Sequence, residues 1–286
     1  MIVVVTGATG FFGKPLVTAL RARGDEVREL SRGGGADLEV QGPWMDAIDG
    51  TDAVIHLAGE PIAAKRWDAR RKQLIKDSRV EGTRHLVLAI ERARVRPRVL
   101  VSASGVDYYP YASDIDDFDD DEVTEHDPPG DEFLARVCKA WEAEARAAEA
   151  LGVRVVIMRM GLVLAADGGA LARMKPPAGR IGSGRQWLSW IHRDDAIAAY
   201  LAAIDDERYR GPINLVADST RQAEFAKALP GPRFLPVPAF AIRAAVGELA
   251  DSLLEGRRVV PARLRELGFT WTHPTLASAL GRLNRK

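Results

Sequence analysis

The chain has 286 residues, 47% of them apolar, enough to bury one large core or a large and a small one. Its 40 Lys plus Arg balance 40 Asp plus Glu, which gives no general electrostatic reason to bind nucleic acid or an anionic membrane surface. No apolar run reaches membrane-spanning length, and the first residues read as a core strand rather than a charged leader, so a cytoplasmic protein is expected.

Residues 2–6 (Ile2-Val3-Val4-Val5-Thr6) form an apolar, β-branched predicted strand. The turn Gly7-Ala8-Thr9-Gly10-Phe11-Phe12-Gly13 follows, and residues 14–23 read as a helix with Leu16 and Leu20 inward. A buried parallel strand, a tight glycine loop and a helix N-terminus in this order make a pyrophosphate site, because backbone N–H groups and the helix dipole point at the anion. Gly7 lets the chain leave the strand sharply, Gly10 lets the backbone approach the phosphates, and Gly13 lets the helix pack closely on the sheet. Thr9, Phe11 and Phe12 belong to the same candidate cofactor loop. A structural βα turn without a ligand is the plainer alternative.

The next predicted strand, 26–31, ends in Ser31-Arg32, where an NAD site usually places an Asp or Glu against the ribose 2′-hydroxyl. A hydroxyl and a guanidinium suit a 2′-phosphate, since the Arg fork binds phosphate oxygens and no carboxylate repels them. NADP is therefore favoured over NAD; a solvated loop arginine is the other reading of Arg32.

Further strands are predicted at 53–57, 98–102 and 153–159, with helices at 68–93 and 132–151. Such alternation calls for an α/β chain with a Rossmann-type doubly wound parallel sheet, covered on both faces. Ligands of such sheets bind outside the carboxyl ends of the strands. Three segments fall there. Residues 52–59, counted as the fourth strand, offer Leu57-Ala58-Gly59 to pass under a cofactor ribose. Residues 99–104, counted as the fifth, bring Ser102 and leave Ser104 as a hydroxyl at the tip. Residues 158–163, counted as the sixth, bring Met160, Gly161 and Leu162 to where a nicotinamide ring needs apolar walls.

The acidic stretch 114–122 reads as a solvated loop, since the Gly and Glu of a calcium loop are not at the required offsets. The lone Cys138 excludes an internal disulfide and a cysteine-based metal cluster, and it reads as a small buried residue on a helix; no metal centre is expected. After residue 205 turn signals become frequent: Gly211-Pro212, Pro230-Gly231-Pro232, Pro236 and Pro238. The predicted division is a Rossmann domain over 1–230 and a small C-terminal substrate lobe over 231–286.

The pattern TGATGFFG, the segment DAVIHLAG, the Ser-rich strand followed by Tyr108, and WIHRDDAIAAY resemble the extended short-chain dehydrogenases/reductases of the sugar-nucleotide-epimerase kind. The runs LAGEPIAAKRW, PPGDEFLARVCKAWE, MGLVLAADGGALARM, GSGRQWLSWIHRDD and LPVPAFAIRAAVGE are similar to one atypical subgroup, the epimerase-family proteins, some of whose relatives are linked to cell or plastid division. The resemblance covers nearly the whole chain. It implies an NADP-binding oxidoreductase or epimerase acting on an unidentified small molecule, and it implies that Arg79, in Arg79-Val80-Glu81-Gly82-Thr83, faces the cofactor. A helix-surface charge is the other reading of Arg79.

Extended members move a proton with a Tyr whose pKa is lowered by a Lys four residues later. None of the five tyrosines here has Lys at that offset, and counting back from Lys139 gives Ala135. Three readings of the gap stand. Ser104 binds a substrate carbonyl and Tyr108 or Tyr109 supplies the proton; or a substrate group or water supplies it; or the protein binds NADP without turnover and regulates a partner protein. Glu60, Lys65 and Arg66 are candidates to line the substrate entrance. His192, Asp194 and Asp195 open a helix, where capping by the carboxylates outweighs catalysis. Trp187 and Trp190 flank Ser189 and are expected on one strand face packed on the core or cleft.

Overall fold

The computed structural model describes residues 1–111, 120–174, 176–232 and 235–281. Its strands are β1 (Ile2–Thr6), β2 (Glu26–Leu30), β3 (Ala53–His56), β4 (Val99–Gly105), β5 (Glu122–Val123), β6 (Arg154–Met160), β7 (Leu162–Leu164), β8 (Ala178–Ile181), β9 (Trp187–His192), β10 (Gly211–Leu215), β11 (Asp218–Arg221), β12 (Leu235–Val237) and β13 (Arg258–Val259). Its helices are α1 (Gly13–Ala22), α2 (Ala69–Arg92), α3 (Phe133–Arg146), α4 (Arg193–Asp205), α5 (Gln222–Ala228), α6 (Ala239–Val246), α7 (Leu249–Leu254), α8 (Ala262–Glu266) and α9 (Leu276–Gly281).

The central sheet has six strands in the order β10-β6-β4-β3-β1-β2, every neighbouring pair parallel. Its strands alternate their side chains between two apolar layers. Val3, Val5, Ile55, Val101 and Val156 join Leu16 and Leu20 of α1 and Tyr200 of α4 on one face. Val4, Val54, Leu100, Val155 and Ile157 join Leu86 and Ile90 of α2 and Ala145 of α3 on the other. A strand buried on both sides reads as a continuous apolar run, which is how β1 and the first three residues of β4 appear in the sequence. The order reverses between β1 and β3, and that switch point is where a doubly wound sheet opens a crevice at its carboxyl edge.

The sequence expectations need four corrections here. Residues 52–59 and 99–104 close the third and fourth strands in chain order, not the fourth and fifth, because residues 32–34 and 43–48 form short 3-10 turns between β2 and β3. The helix expected over 132–151 ends at Arg146 and tightens into a 3-10 turn over Ala147–Leu151, closed by Gly152 at φ 81°. Glu122, assigned to an acidic loop, pairs with Arg258 in β5 and β13, while residues 112–119 of that loop lie outside the described residues. Trp187 and Trp190 are three residues apart in β9 and so take opposite faces. Trp190 is fully buried and donates its indole N–H to Thr220 Oγ1 at 2.9 Å. The Trp187 ring instead lies 4.0 Å beneath the Arg221 guanidinium.

Beside the sheet's carboxyl edge, β11-β9-β7 form a second, three-stranded sheet. Strand β12 pairs with β8, and α6 reaches back toward the loop after β3, where Arg66 donates to the Ala244 carbonyl at 3.0 Å. Among the described residues no helix is long and apolar enough to cross a membrane.

Candidate cofactor and active site

The turn between β1 and α1 is shaped by backbone crowding. Gly7 has φ 68°, and a Cβ there would stand 2.9 Å from the Leu57 carbonyl carbon. A Cβ at Gly13 would stand 2.3 Å from the Gly7 carbonyl oxygen, so the helix could not start where it does with any side chain at that position. Helix α1 has no side-chain N-cap and no acidic residue in its first turn. The Lys14 amide is taken by the Gly10 carbonyl at 3.1 Å and Pro15 carries none, so the amides that precede Lys14 and the positive dipole end are what is left for an external anion. Thr9, Gly10 and Phe11 are exposed around this end, whereas Phe12 turns inward and packs on Tyr200 with ring centroids 5.2 Å apart. Phe11 lies against the Gly168-Gly169 backbone, where a Cβ at Gly169 would come within 2.8 Å of its ring.

A polar chain that the sequence reading did not assemble fixes the neighbouring loop. Thr83 Oγ1 donates to the Arg79 carbonyl, so it accepts from His56 Nε2 at 2.9 Å. His56 Nδ1 then accepts from Thr6 Oγ1 at 2.7 Å, and Thr6 Oγ1 in turn accepts the amides of Leu57 and Ala58, each at 3.2 Å. Every group in the relay has one consistent role, and burial pushes the His56 pKa down to about 3, keeping the ring neutral. The relay holds Leu57-Ala58-Gly59 beside the glycine turn. Its signal in the sequence was present but indirect: polar residues standing at the ends of apolar strands and in the middle of a helix.

Arg79 lies beneath the same loop. Its Nη1 donates to the Glu60 carbonyl at 3.0 Å, and a Cβ at Gly59 would stand 3.1 Å from its guanidinium carbon. Ser31 precedes a 3-10 turn whose Gly34 and Ala36 amides bond its carbonyl. Arg32 projects from there, its side chain 63% exposed, and pairs with Glu60 Oε2 at 2.8 Å. Glu60 Oε1 is held by buried Arg71 at 2.6 Å. Arg71 first, and Arg32 after it, hold the Glu60 carboxyl below the usual carboxylate range. Lys65 and Arg66 are exposed on the segment that follows.

The candidate catalytic hydroxyls separate into distinct settings. Ser104, at the tip of β4, is buried and donates to Glu142 Oε1 at 2.8 Å. Glu142 is clamped by both arms of Arg159, at 2.9 Å each, with both side chains almost fully buried. Arg159 also donates to the Tyr109 hydroxyl at 2.8 Å, and Tyr109 donates to Asn214 Oδ1 at 2.6 Å. Burial, only partly offset by Arg159, keeps the Tyr109 phenol protonated far above its ordinary range. Tyr108 is half-buried, its ring 3.4 Å from the Arg159 guanidinium carbon, and its hydroxyl makes no hydrogen bond among the described residues. Ala135 is fully buried on α3, with exposed Lys139 one turn on. Cys138 is buried on the same helix, and burial pushes its thiol up to about 12, which leaves it inert as a nucleophile.

Of the remaining candidates, Ser102 is buried inside β4 in register with His56. Met160, Gly161 and Leu162 form the step from the six-stranded to the three-stranded sheet; a Cβ at Gly161 would meet the Ser189 carbonyl oxygen at 2.6 Å. The capping of α4 differs from expectation. The His192 imidazole, not a carboxylate, accepts the Asp194 amide, and the Asp195 carboxylate bonds the amides of Thr272 and His273 instead.

Comparison with known proteins adds independent findings. Residues 3–215 match the model of the NAD dependent epimerase/dehydratase family, and residues 237–283 match a domain of unknown function, DUF1731. The chain is 40% identical to the chloroplastic epimerase family protein SDR39U1 homolog of Arabidopsis thaliana, over 98% of this chain and 86% of the relative. It is 37% identical to an epimerase family protein of Mycobacterium leprae, over 98% and 94% of the two chains. Among solved structures, human epimerase family protein SDR39U1 (isoform 2) with NADPH superposes with a TM-score of 0.86 at 33% identity, covering 99% of both chains.

Proposed function

This chain belongs to the NAD dependent epimerase/dehydratase family, and from that premise we propose that it binds NADP(H) and serves as an oxidoreductase or epimerase for a small molecule. The observation that carries the reading is the uncapped, acid-free N-terminus of α1 behind the glycine turn, a seat for a diphosphate. The human relative solved with NADPH supports the same nucleotide. Ser31 and Arg32, just past the end of β2, meet the 2′-phosphate; against the expectation that no carboxylate stands there, Arg32 pairs with Glu60 at 2.8 Å and must leave it to do so. Leu57-Ala58-Gly59, held by Thr6 and the His56–Thr83 relay, lies under the ribose.

When bound, the nicotinamide supplies a hydride donor or acceptor. The protein's own contribution is positional. Ser104 stands at the tip of β4 and Tyr108 in the turn just beyond; Tyr108 has a hydroxyl that is not engaged within the described protein, and its ring lies 3.4 Å from the Arg159 guanidinium carbon. Tyr108 is accordingly the group that transfers a proton to or from substrate. Ser104, expected to bind a substrate carbonyl, cannot donate to one while Glu142 takes its proton, so it is left to accept a hydrogen bond from a substrate hydroxyl.

A second reading has a specific observation in its favour. Ser104 and Tyr109 are engaged inside the protein and Ala135 replaces the usual tyrosine, an arrangement suited to binding the nucleotide without turnover and presenting it to a protein partner. Calorimetry with NADPH and NADH, followed by NADPH oxidation assays over a panel of carbonyl compounds and nucleotide sugars, separates the two. Oxidation of the cofactor supports the enzyme; tight binding without turnover across the panel supports the module; no heat with either nucleotide overturns both.

A further inference from the structure

Two buried histidines stack where the three-stranded sheet hands over to α4, whose Arg193 guanidinium lies 5.3 Å over the Phe11 ring of the proposed cofactor loop. His192, the last residue of β9, and His273, between α8 and α9, have ring centroids 4.0 Å apart and are each about 5% exposed. His273 Nε2 is buried without a hydrogen-bond partner, an arrangement that costs free energy unless a ligand meets it. A nitrogen of each ring and an oxygen of the exposed Asp194 carboxylate lie within 4.8 Å of one another. We propose that His192, Asp194 and His273 form a binding site for a divalent transition-metal ion of the zinc class.

Donor chemistry selects the ion. Two imidazoles and one carboxylate suit Zn2+ or Co2+, whereas Mg2+ and Ca2+ take oxygen ligands. The His192 Nδ1 to Asp194 Oδ2 separation is 3.7 Å, close to the edge of a tetrahedron built on bonds of about 2.1 Å. His192 Nδ1 now accepts only the Asp194 amide at 3.2 Å, a bond the ion would replace. A cation at a helix N-terminus is opposed by the dipole. Here the carboxylates of Asp194 and Asp195 offset that opposition, and Arg193 is turned away to Asp167 at 2.6 Å.

The site has a structural consequence. Asp195 already fixes the ligand segment by accepting the Thr272 amide at 2.7 Å and the His273 amide at 2.9 Å. An ion on His192 and His273 would fasten the C-terminal segment to the start of α4, and Asp194, being exposed, leaves a fourth position open to water.

The test uses the full chain, stripped of metal and free of any histidine tag, without nucleotide. Co2+ is expected to give the intense visible bands of a tetrahedral site, and Zn2+ is expected to displace it and raise Tm, while Mg2+ and Ca2+ do neither. His273→Phe keeps the ring stack and the amide bond to Asp195, so it is expected to fold, to keep circular dichroism unchanged, and to weaken Co2+ binding by about a hundredfold or more. Asp194→Ala, at an exposed position, is the second variant and is expected to weaken binding without loss of fold. Only the weak spectrum of aqueous Co2+ with the parent chain, or a full-strength tetrahedral spectrum in both variants, overturns the proposal.

Discussion

Arg32 and Glu60 meet at 2.8 Å between the end of β2 and the segment after β3, and Arg71 holds the other oxygen of the same carboxylate at 2.6 Å. Arg71 keeps Glu60 in place, so a phosphate approaching Arg32 competes with a fixed carboxylate. The Arg32 side chain is 63% exposed and the Glu60 side chain 18%, so Arg32 can swing from the carboxylate to a phosphate dianion, against the repulsion of a Glu60 that Arg71 holds in place.

Arg32→Glu is therefore expected to weaken NADPH by about 1.5–3 kcal/mol, roughly one to two orders of magnitude in Kd, with a much smaller effect on NADH. Paired calorimetric titrations measure this directly. Equal losses for both nucleotides would remove 2′-phosphate recognition from Arg32.

The Glu142–Arg159 pair is buried, and removing one partner leaves the other charge uncompensated. Glu142→Gln is expected to destabilise the fold by about 3–5 kcal/mol in urea unfolding, whereas Glu142→Leu combined with Arg159→Met recovers much of that loss. A Glu142→Gln protein as stable as the parent would show that the clamp does not carry the charge inferred for it.

Tyr108 and Tyr109 are adjacent in sequence and opposite in role. Tyr109→Phe leaves Asn214 Oδ1 without its donor and is expected to cost about 1–3 kcal/mol of stability. Tyr108→Phe is expected to leave stability unchanged and to lower turnover of whichever carbonyl compound the panel identifies. A Tyr108→Phe enzyme with full kcat would pass the proton role to the substrate or to water.

His56 sets a pH dependence. Its pKa is about 3 in the folded chain and near the ordinary 6.5 when unfolded, so between those values the unfolded state takes up a proton that the folded state refuses. Stability is fully present above pH 6.5 and falls as pH drops, by about 1.4 kcal/mol per pH unit toward pH 3. Urea unfolding at pH 7, 5.5 and 4 should show this slope in the parent chain and a shallower one in His56→Gln. Parallel slopes would mean that His56 is not the titrating group.

How much of this was legible depends on range along the chain. Each glycine of the β1–α1 turn was placed from its neighbours within a dozen residues, since a strand, a tight turn and a helix start are local events. The sheet's two buried faces followed from uninterrupted apolar runs such as Ile2-Val3-Val4-Val5. The count of strands did not, because the stretch between β2 and β3 is short and turn-like, and only pairing shows that no edge strand forms there among the described residues.

Sequence by itself determined the glycine turn, the alternation of strands and helices, and the absence of the Tyr–Lys pair, since all three are written in residue spacing. Tertiary structure decided which hydroxyl is engaged and which charge is paired: Ser104 meets Glu142 across 38 positions, Tyr109 meets Asn214 across 105, and His192 stacks on His273. Those encounters are set by how the layers close over the sheet, where burial makes most polar groups find a partner, and no local pattern in the chain specifies which partner it will be.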